Sequence, residues 1–179
     1  MKRALFSGTI PEYYDKNLGP VLFEPYAKDL VHRIKSKPRH VLELACGTGR
    51  LTQQIINEIA SVTEICAIDI NRDMLLAAGS KIKSPLINWL ISDAQDLVFE
   101  DERFDAVICQ FGIMFFPNAQ KAFDEAYRVL ETGGSFLFNT WDNFESNPGS
   151  RIVHKVIKDY FKMTPEFMEK APFHLMINC

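Results

Sequence analysis

The densest group of chemically useful residues is the run Glu43-Leu44-Ala45-Cys46-Gly47-Thr48-Gly49-Arg50-Leu51. Two glycines this close let a backbone turn tightly and approach a ligand with no Cβ in the way. A helix starting behind them presents unpaired N–H groups and the positive end of its dipole. A dinucleotide fingerprint would place a third glycine where Thr52 stands, to let helix and strand pack closely. The strand feeding the turn also carries a carboxylate, Glu43, which would repel a pyrophosphate and attract an ammonium group. Together these features point away from a dinucleotide and toward a nucleoside bearing an amino acid. Glu43 has a competing role as a cap or salt-bridge partner of its own loop.

The apolar pattern supplies the frame for this turn. Residues 40–44 read as a buried strand, and residues 50–60 as a helix with Leu51, Ile55, Ile56 and Ile59 at helical spacing. A second strand spans 64–68 and is closed by Asp69. Asn71 is placed to cap the next helix, with Asp73 in its first turn. A third strand, 88–91, runs into Ser92-Asp93-Ala94, and a fourth covers 104–109. A helix over 119–130 carries Ala122, Phe123, Ala126, Val129 and Leu130 along one side, and Gly133-Gly134 turns into a fifth strand at 135–139. Strand and helix alternating in this way predict an α/β fold: a Rossmann-like, doubly wound parallel sheet with helices on both faces. Ligands in such sheets bind beyond the C-terminal ends of the strands, so the strand-end residues are the ones to examine. Ahead of the sheet, residues 11–18 and 22–34 read as helices whose aromatics, Tyr13 and Tyr14 among them, mostly pack. They would also serve as a lid over the strand ends. The expected organisation is one domain over 1–179, with a helical lid at 1–38, an α/β core at 39–141 and a partial C-terminal region at 142–179.

Composition narrows the classes. A chain of 179 residues with 47% hydrophobic and 24% charged residues suits one globular domain. A formal charge of −3 gives no electrostatic case for nucleic acid. No apolar run approaches the roughly 20 residues that span a bilayer, and Ser7-Gly8-Thr9 interrupts any signal-peptide core, so the cytoplasm is expected. Of the four cysteines none form a CxxC pair, and Cys66 and Cys109 lie in apolar runs as expected for buried thiols, so no disulfide is anticipated. His32, His40, His154 and His174 show no metal spacing, and no metal site is expected.

The run Val41-Leu42-Glu43-Leu44-Ala45-Cys46-Gly47-Thr48-Gly49 resembles motif I of class I S-adenosylmethionine (SAM)-dependent methyltransferases. The likeness continues through Asp69, Asp93-Ala94, Gln110-Phe111 and Arg128-Val129-Leu130-Glu131-Thr132-Gly133-Gly134, covering most of residues 10–145. The branch it most resembles is the small-molecule type that includes the ubiquinone and menaquinone C-methyltransferases. The resemblance implies SAM as cofactor, with S-adenosylhomocysteine as product, and a small-molecule methyl acceptor. It implies that Ala45, Gly47 and Gly49 cradle the amino-acid tail and that Asp69 accepts from the two ribose hydroxyls, a charge-assisted contact. Asp93 would take the adenine amine and the Ala94 N–H a ring nitrogen, with Ile70 and Met74 sandwiching the base. Gln110 and Phe111 would lie beside the methionine portion and the sulfonium, and Tyr14 would reach the SAM carboxylate. Each has a plainer alternative: a cap or surface role for Asp69, a turn role for Asp93, core filling for Met74, packing for Tyr14. Alignment can supply much of the rate of an in-line methyl displacement, and no catalytic acid or base emerges.

Members of the family carry two further strands after the fifth. Beyond Trp141 come a polar turn at 143–150, a helix from 151 to about 161, and a tail to Cys179. Strands six and seven are therefore expected to be absent. Strand five would then be an unpaired apolar edge, inviting a homodimer. Two other readings stay open: a nicotinamide-dependent oxidoreductase, and a non-catalytic SAM-binding scaffold without a complete acceptor site.

Overall fold

The computed structural model describes residues 8, 10–34, 37–142, 147, 152, 155, 156 and 158–160. The chain divides into two compact units, Met1–Asn139 and Thr140–Cys179.

In the first unit, five strands form one parallel sheet in the order β3-β2-β1-β4-β5: β1 His40–Leu44, β2 Glu64–Asp69, β3 Ile87–Ile91, β4 Phe104–Gln110 and β5 Leu130–Asn139. The order reverses between β1 and β4, which opens a crevice above their C-terminal ends. Leu44 pairs with Ile68 on one side and Cys109 on the other. The residues that leave β1, β2 and β4 therefore emerge side by side.

Two-residue periodicity sorts the central strands onto two faces. Val41, Ile65, Ala67, Ala106 and Ile108 pack with Ala27, Leu30 and Val31 of α2 (Glu24–His32), Leu51 and Ile55 of α3 (Arg50–Glu58) and Leu75 of α4 (Arg72–Lys81). Leu42, Leu44, Cys66, Ile68, Val107 and Cys109 pack on the opposite side with Ala122, Ala126 and Val129 of α5 (Ala119–Val129). Runs buried on both faces are what a covered parallel sheet requires. Asn71 caps α4, its side-chain oxygen accepting from the Asp73 and Met74 amides.

Two local expectations are corrected. The helix expected over 22–34 is present as α2, Glu24–His32, but residues 22 and 23 belong to a π-helical turn, Gly19–Phe23, that joins it to α1 (Ile10–Leu18). Pro25 lacks an N–H and its ring opposes a regular helix across it, so it sits in the first turn of α2 instead. Strand five begins at Leu130, and the turn expected at Gly133-Gly134 is a bulge inside it. Leu130 pairs with Phe104 and Ser135 with Ala106, so residues 131–134 bow out opposite Asp105 alone. A positive φ of 88° at Gly133 lets them do so. Smaller shifts extend the third and fourth strands by one residue, to Ile87 and Gln110.

In the second unit, Ile152, Lys155, Val156, Lys158, Asp159 and Tyr160 are helical, in the stretch where a helix was expected. No helix among the described residues is long and apolar enough to cross a membrane.

Candidate functional site

Above the ends of β1, β2 and β4 lies a cavity of about 440 Å³. Ten residues singled out from the sequence line it: Glu43, Ala45, Gly47, Asp69, Ile70, Met74, Asp93, Ala94, Gln110 and Phe111. All but Met74, which lies on α4, come from the ends of the first four strands, which the aligned register brings together. Two stand apart. Gly49 is not on the cavity wall, and Tyr14 lies on α1 with its side chain outside the described residues.

The turn after β1 is built from left-handed residues, with φ of 51° at Ala45, 54° at Gly47 and 79° at Gly49. For Ala45 that conformation is strained, of the order of 1 kcal/mol or more. Gly49 is needed for a second reason: a Cβ there would lie 2.7 Å from Ile82 Cδ1, 3.1 Å from the Trp89 ring and 3.2 Å from the Ala78 Cβ. Its missing side chain lets the start of α3 seat against α4 and β3, and the close approach it permits is to protein.

Asp69 faces the turn. One carboxylate oxygen accepts from the Gly47 amide at 2.8 Å and the other from the Asn71 amide at 2.8 Å. Burial pushes its carboxyl above the ordinary value, against the amides of Asn71, Gly47 and Ile70. The capping role open to Asp69 is filled by Asn71. Both Asp69 oxygens keep lone pairs beyond those two amides.

Glu43 is 1% exposed. The Thr52 hydroxyl donates to it at 2.6 Å, and burial pushes its carboxyl up to about 8. Among the described residues it forms no salt bridge, so the loop ion pair is replaced by this hydroxyl contact. The side chain that stands where a dinucleotide site would need glycine is the donor that a buried carboxyl demands.

Asp93 accepts from the Gln95 amide at 2.9 Å and from Gln95 Nε2 at 3.1 Å, so its turn role is real and coexists with its place on the wall. Met74 is buried and lines the cavity; Ile70 is 71% exposed at its rim. Gln110 donates from Nε2 to the Phe23 carbonyl at 2.7 Å, which fixes its amide with Oε1 as the remaining atom. That oxygen and Ser92 Oγ are buried and have no hydrogen-bond partner among the described residues. Phe111, at φ 51°, is held by the Asn139 carbonyl at 3.1 Å and packs edge-on against Phe23 and Tyr26. Phe115, Phe116 and Pro117 extend the apolar wall beside it.

Sequence reasoning missed Asp15. Its carboxylate accepts from Thr48 Oγ1 at 2.6 Å and Arg50 Nε at 2.8 Å, and pairs with Lys81 at 2.7 Å. No local periodicity announces a partner 35 residues away.

The lining is rich in acceptors. Glu43, Asp69, Asp93 and Gln110 Oε1 call for a ligand rich in donors, and the carboxylates would disfavour a pyrophosphate.

The chain was compared with known proteins. Residues 24–169 match the model of the ubiE/COQ5 methyltransferase family. The ubiquinone/menaquinone biosynthesis C-methyltransferase UbiE of Bartonella henselae is 37% identical over 109 residues, 59% of this chain and 42% of that protein. A demethylmenaquinone methyltransferase of Lactobacillus johnsonii is 32% identical over 131 residues, 70% of this chain and 52% of the relative. The chain thus spans about two fifths to one half of the length of these curated relatives. Among solved structures, a methyltransferase candidate from Bacillus halodurans superposes with a TM-score of 0.61 at 27% identity, over 74% of this chain and 58% of the other. The 4+2 cyclase SpnF gives 0.60 at 22% identity, over 66% of this chain and 45% of the other, a likeness of fold alone. The fold is the Rossmann-like sheet of the class I methyltransferases. With more than three quarters of its length matched, this chain belongs to the ubiE/COQ5 methyltransferase family.

Proposed function

We propose that the cavity binds S-adenosylmethionine and that the chain positions it for methyl transfer to a small-molecule acceptor. The observation that carries this reading is the convergence of acceptors, the buried Glu43 and Gln110 Oε1 and the half-buried Asp69, on one cavity beside a left-handed glycine turn. Ribose hydroxyls, an adenine amine and an ammonium are all donors, and they match this lining. A pyrophosphate does not, which sets aside the nicotinamide reading.

In this reading Asp69 takes the ribose diol, Asp93 and the Ala94 amide take the adenine edge, and Ile70 and Met74 flank the ring. Ala45, Gly47 and Glu43 hold the amino-acid end. Gly49 supports the turn from behind. Gln110 and Phe111 border the methionine portion, and Tyr14 is the residue assigned to its carboxylate. When bound, SAM supplies a methyl group activated on a sulfonium. The protein's share is to orient that group and keep water away from it. The wall formed by Phe23, Phe111, Phe115, Phe116 and Pro117 favours an apolar, ring-bearing acceptor. That fits the ubiquinone/menaquinone biosynthesis named for the relatives. Cytoplasmic placement belongs to the same reading and is supported by the free, buried thiols of Cys46, Cys66 and Cys109.

Calorimetry with S-adenosylhomocysteine and with NAD tests the cofactor. Binding of the first is expected and binding of NAD alone would sink the reading. Asp69→Ala should weaken S-adenosylhomocysteine by about 1.5–3 kcal/mol, the loss of a charge-assisted contact; unchanged affinity removes the ribose assignment. A screen of small acceptors with the methyl donor separates an enzyme from a scaffold that binds without transfer.

β5 has a strand neighbour on one side only among the described residues, and Phe138 is 39% exposed. We propose that this edge pairs with a second copy. Light scattering at high concentration should show a dimer, and a monomer would refute it.

A further inference from the structure

We propose that Asp15 is a positioning residue for the glycine turn, tying the leading helix and the turn into one unit that sets cofactor affinity. The proposal rests on the binding reading above and adds a residue outside it.

Asp15 is 8% exposed and draws three elements together. From α1 it accepts from Thr48 Oγ1 at 2.6 Å, in the middle of the turn. One carboxylate oxygen takes Arg50 Nε at 2.8 Å and the other takes Arg50 Nη2 at 3.1 Å and Lys81 Nζ at 2.7 Å, at the end of α4. Arg50 Nη2 also donates to the Asp15 carbonyl at 2.9 Å, and Nη1 to Glu24 at 3.2 Å. Burial alone would push the Asp15 carboxyl up, but the hydrogen bonds from Arg50, Lys81 and Thr48 hold it below its ordinary value.

The charge arrangement explains why an acid is required here. Arg50 is the first residue of α3, where a cation opposes the helix dipole. With Lys81 alongside, the start of α3 would be strongly positive unless a carboxylate sat between them. The turn is then anchored on two sides: Gly47 by Asp69 from within the cavity, and Thr48 by Asp15 from outside. The same leading segment supplies Phe23, whose carbonyl fixes Gln110 and whose side chain forms cavity wall. Releasing Asp15 would therefore loosen the turn and the opposite wall together, without touching the ligand.

The test uses the full chain. Hydrogen exchange without ligand should show lost protection in residues 10–23 and 45–50 of Asp15→Asn, with β1 and β4 unchanged. S-adenosylhomocysteine should bind the variant about tenfold or more weakly, as expected for loss of charged hydrogen bonds. Lys81→Met removes one partner while keeping the acid, and should shift both readouts the same way by less. Thr48→Val combined with Asp15→Asn should be non-additive in affinity. The proposal is overturned if residues 10–23 exchange alike in Asp15→Asn and wild type, or if exchange changes while affinity does not. Should the wild-type chain fail to bind S-adenosylhomocysteine, the cofactor reading falls, and the ligand-free exchange comparison alone decides the tie.

Discussion

Replacing Glu43 with glutamine should stabilise the protein at neutral pH, and the size of the gain follows from the burial of one carboxyl. Glu43 is 1% exposed, has the Thr52 hydroxyl as donor, and is held at about 8 in place of an ordinary 4.5. Between those values the native state keeps a proton that the unfolded chain has released. Stability therefore falls as pH rises through this window, by about 1.4 kcal/mol per pH unit, or about 3 kcal/mol by pH 7. The contribution is fully present below 4.5 and its loss is complete above about 8. Glutamine keeps the oxygen that Thr52 needs and has nothing to ionise. Thermal melts of both proteins at pH 5, 6, 7 and 8 and fixed ionic strength should diverge, by about 6–12 °C at pH 7 for a domain of this size. Parallel curves would refute the reasoning, since they would mean that Glu43 carries no displaced titration. Bound S-adenosylhomocysteine adds a second arm. An ammonium beside Glu43 favours the carboxylate, so wild-type affinity should rise from pH 6 to 8 while the glutamine variant stays flat.

Gly49→Ala should cost about 1–3 kcal/mol in urea unfolding, because it adds a methyl within 2.7 Å of Ile82 and forces a side chain onto a left-handed residue. A cost under a few tenths would mean that the turn relaxes freely. Cys46 and Cys109 are buried, and burial pushes the Cys109 thiol up to about 12. Iodoacetamide at pH 8 should spare both in the native protein and label both in urea, as read by peptide mass; native labelling would contradict their placement.

Much of this site was legible because its signals are local. The strand that ends in Glu43-Leu44, the paired glycines and an aspartate closing the second strand are set by periodicity and turn chemistry within a few residues. The aligned register then carries those local features into one crevice. What stayed hidden depends on distance through the fold. Thr52 could be seen as a missing third glycine, but its bond to Glu43 needs α3 laid against β1. Asp15 reads as an ordinary helix residue until α1, α3 and α4 meet. Gly49 was readable as a glycine that the turn needs, yet its second role comes from Ile82 and Trp89, whose positions only the packing defines. The bulge at residues 131–134 escaped because a double glycine signals a turn equally well inside a strand or before it.

The guanidinium of Arg50 occupies the space a side chain at Gly19 would fill, with Nε 2.6 Å from where that Cβ would stand. A larger residue at 19 would press on the very group that holds Asp15. Being the far end of a flexible side chain, the guanidinium would move aside, and its bonds to Asp15 and Glu24 would bear the displacement. The absence of a side chain at 19 thus leaves Arg50 room to lie between the leading helix and the turn.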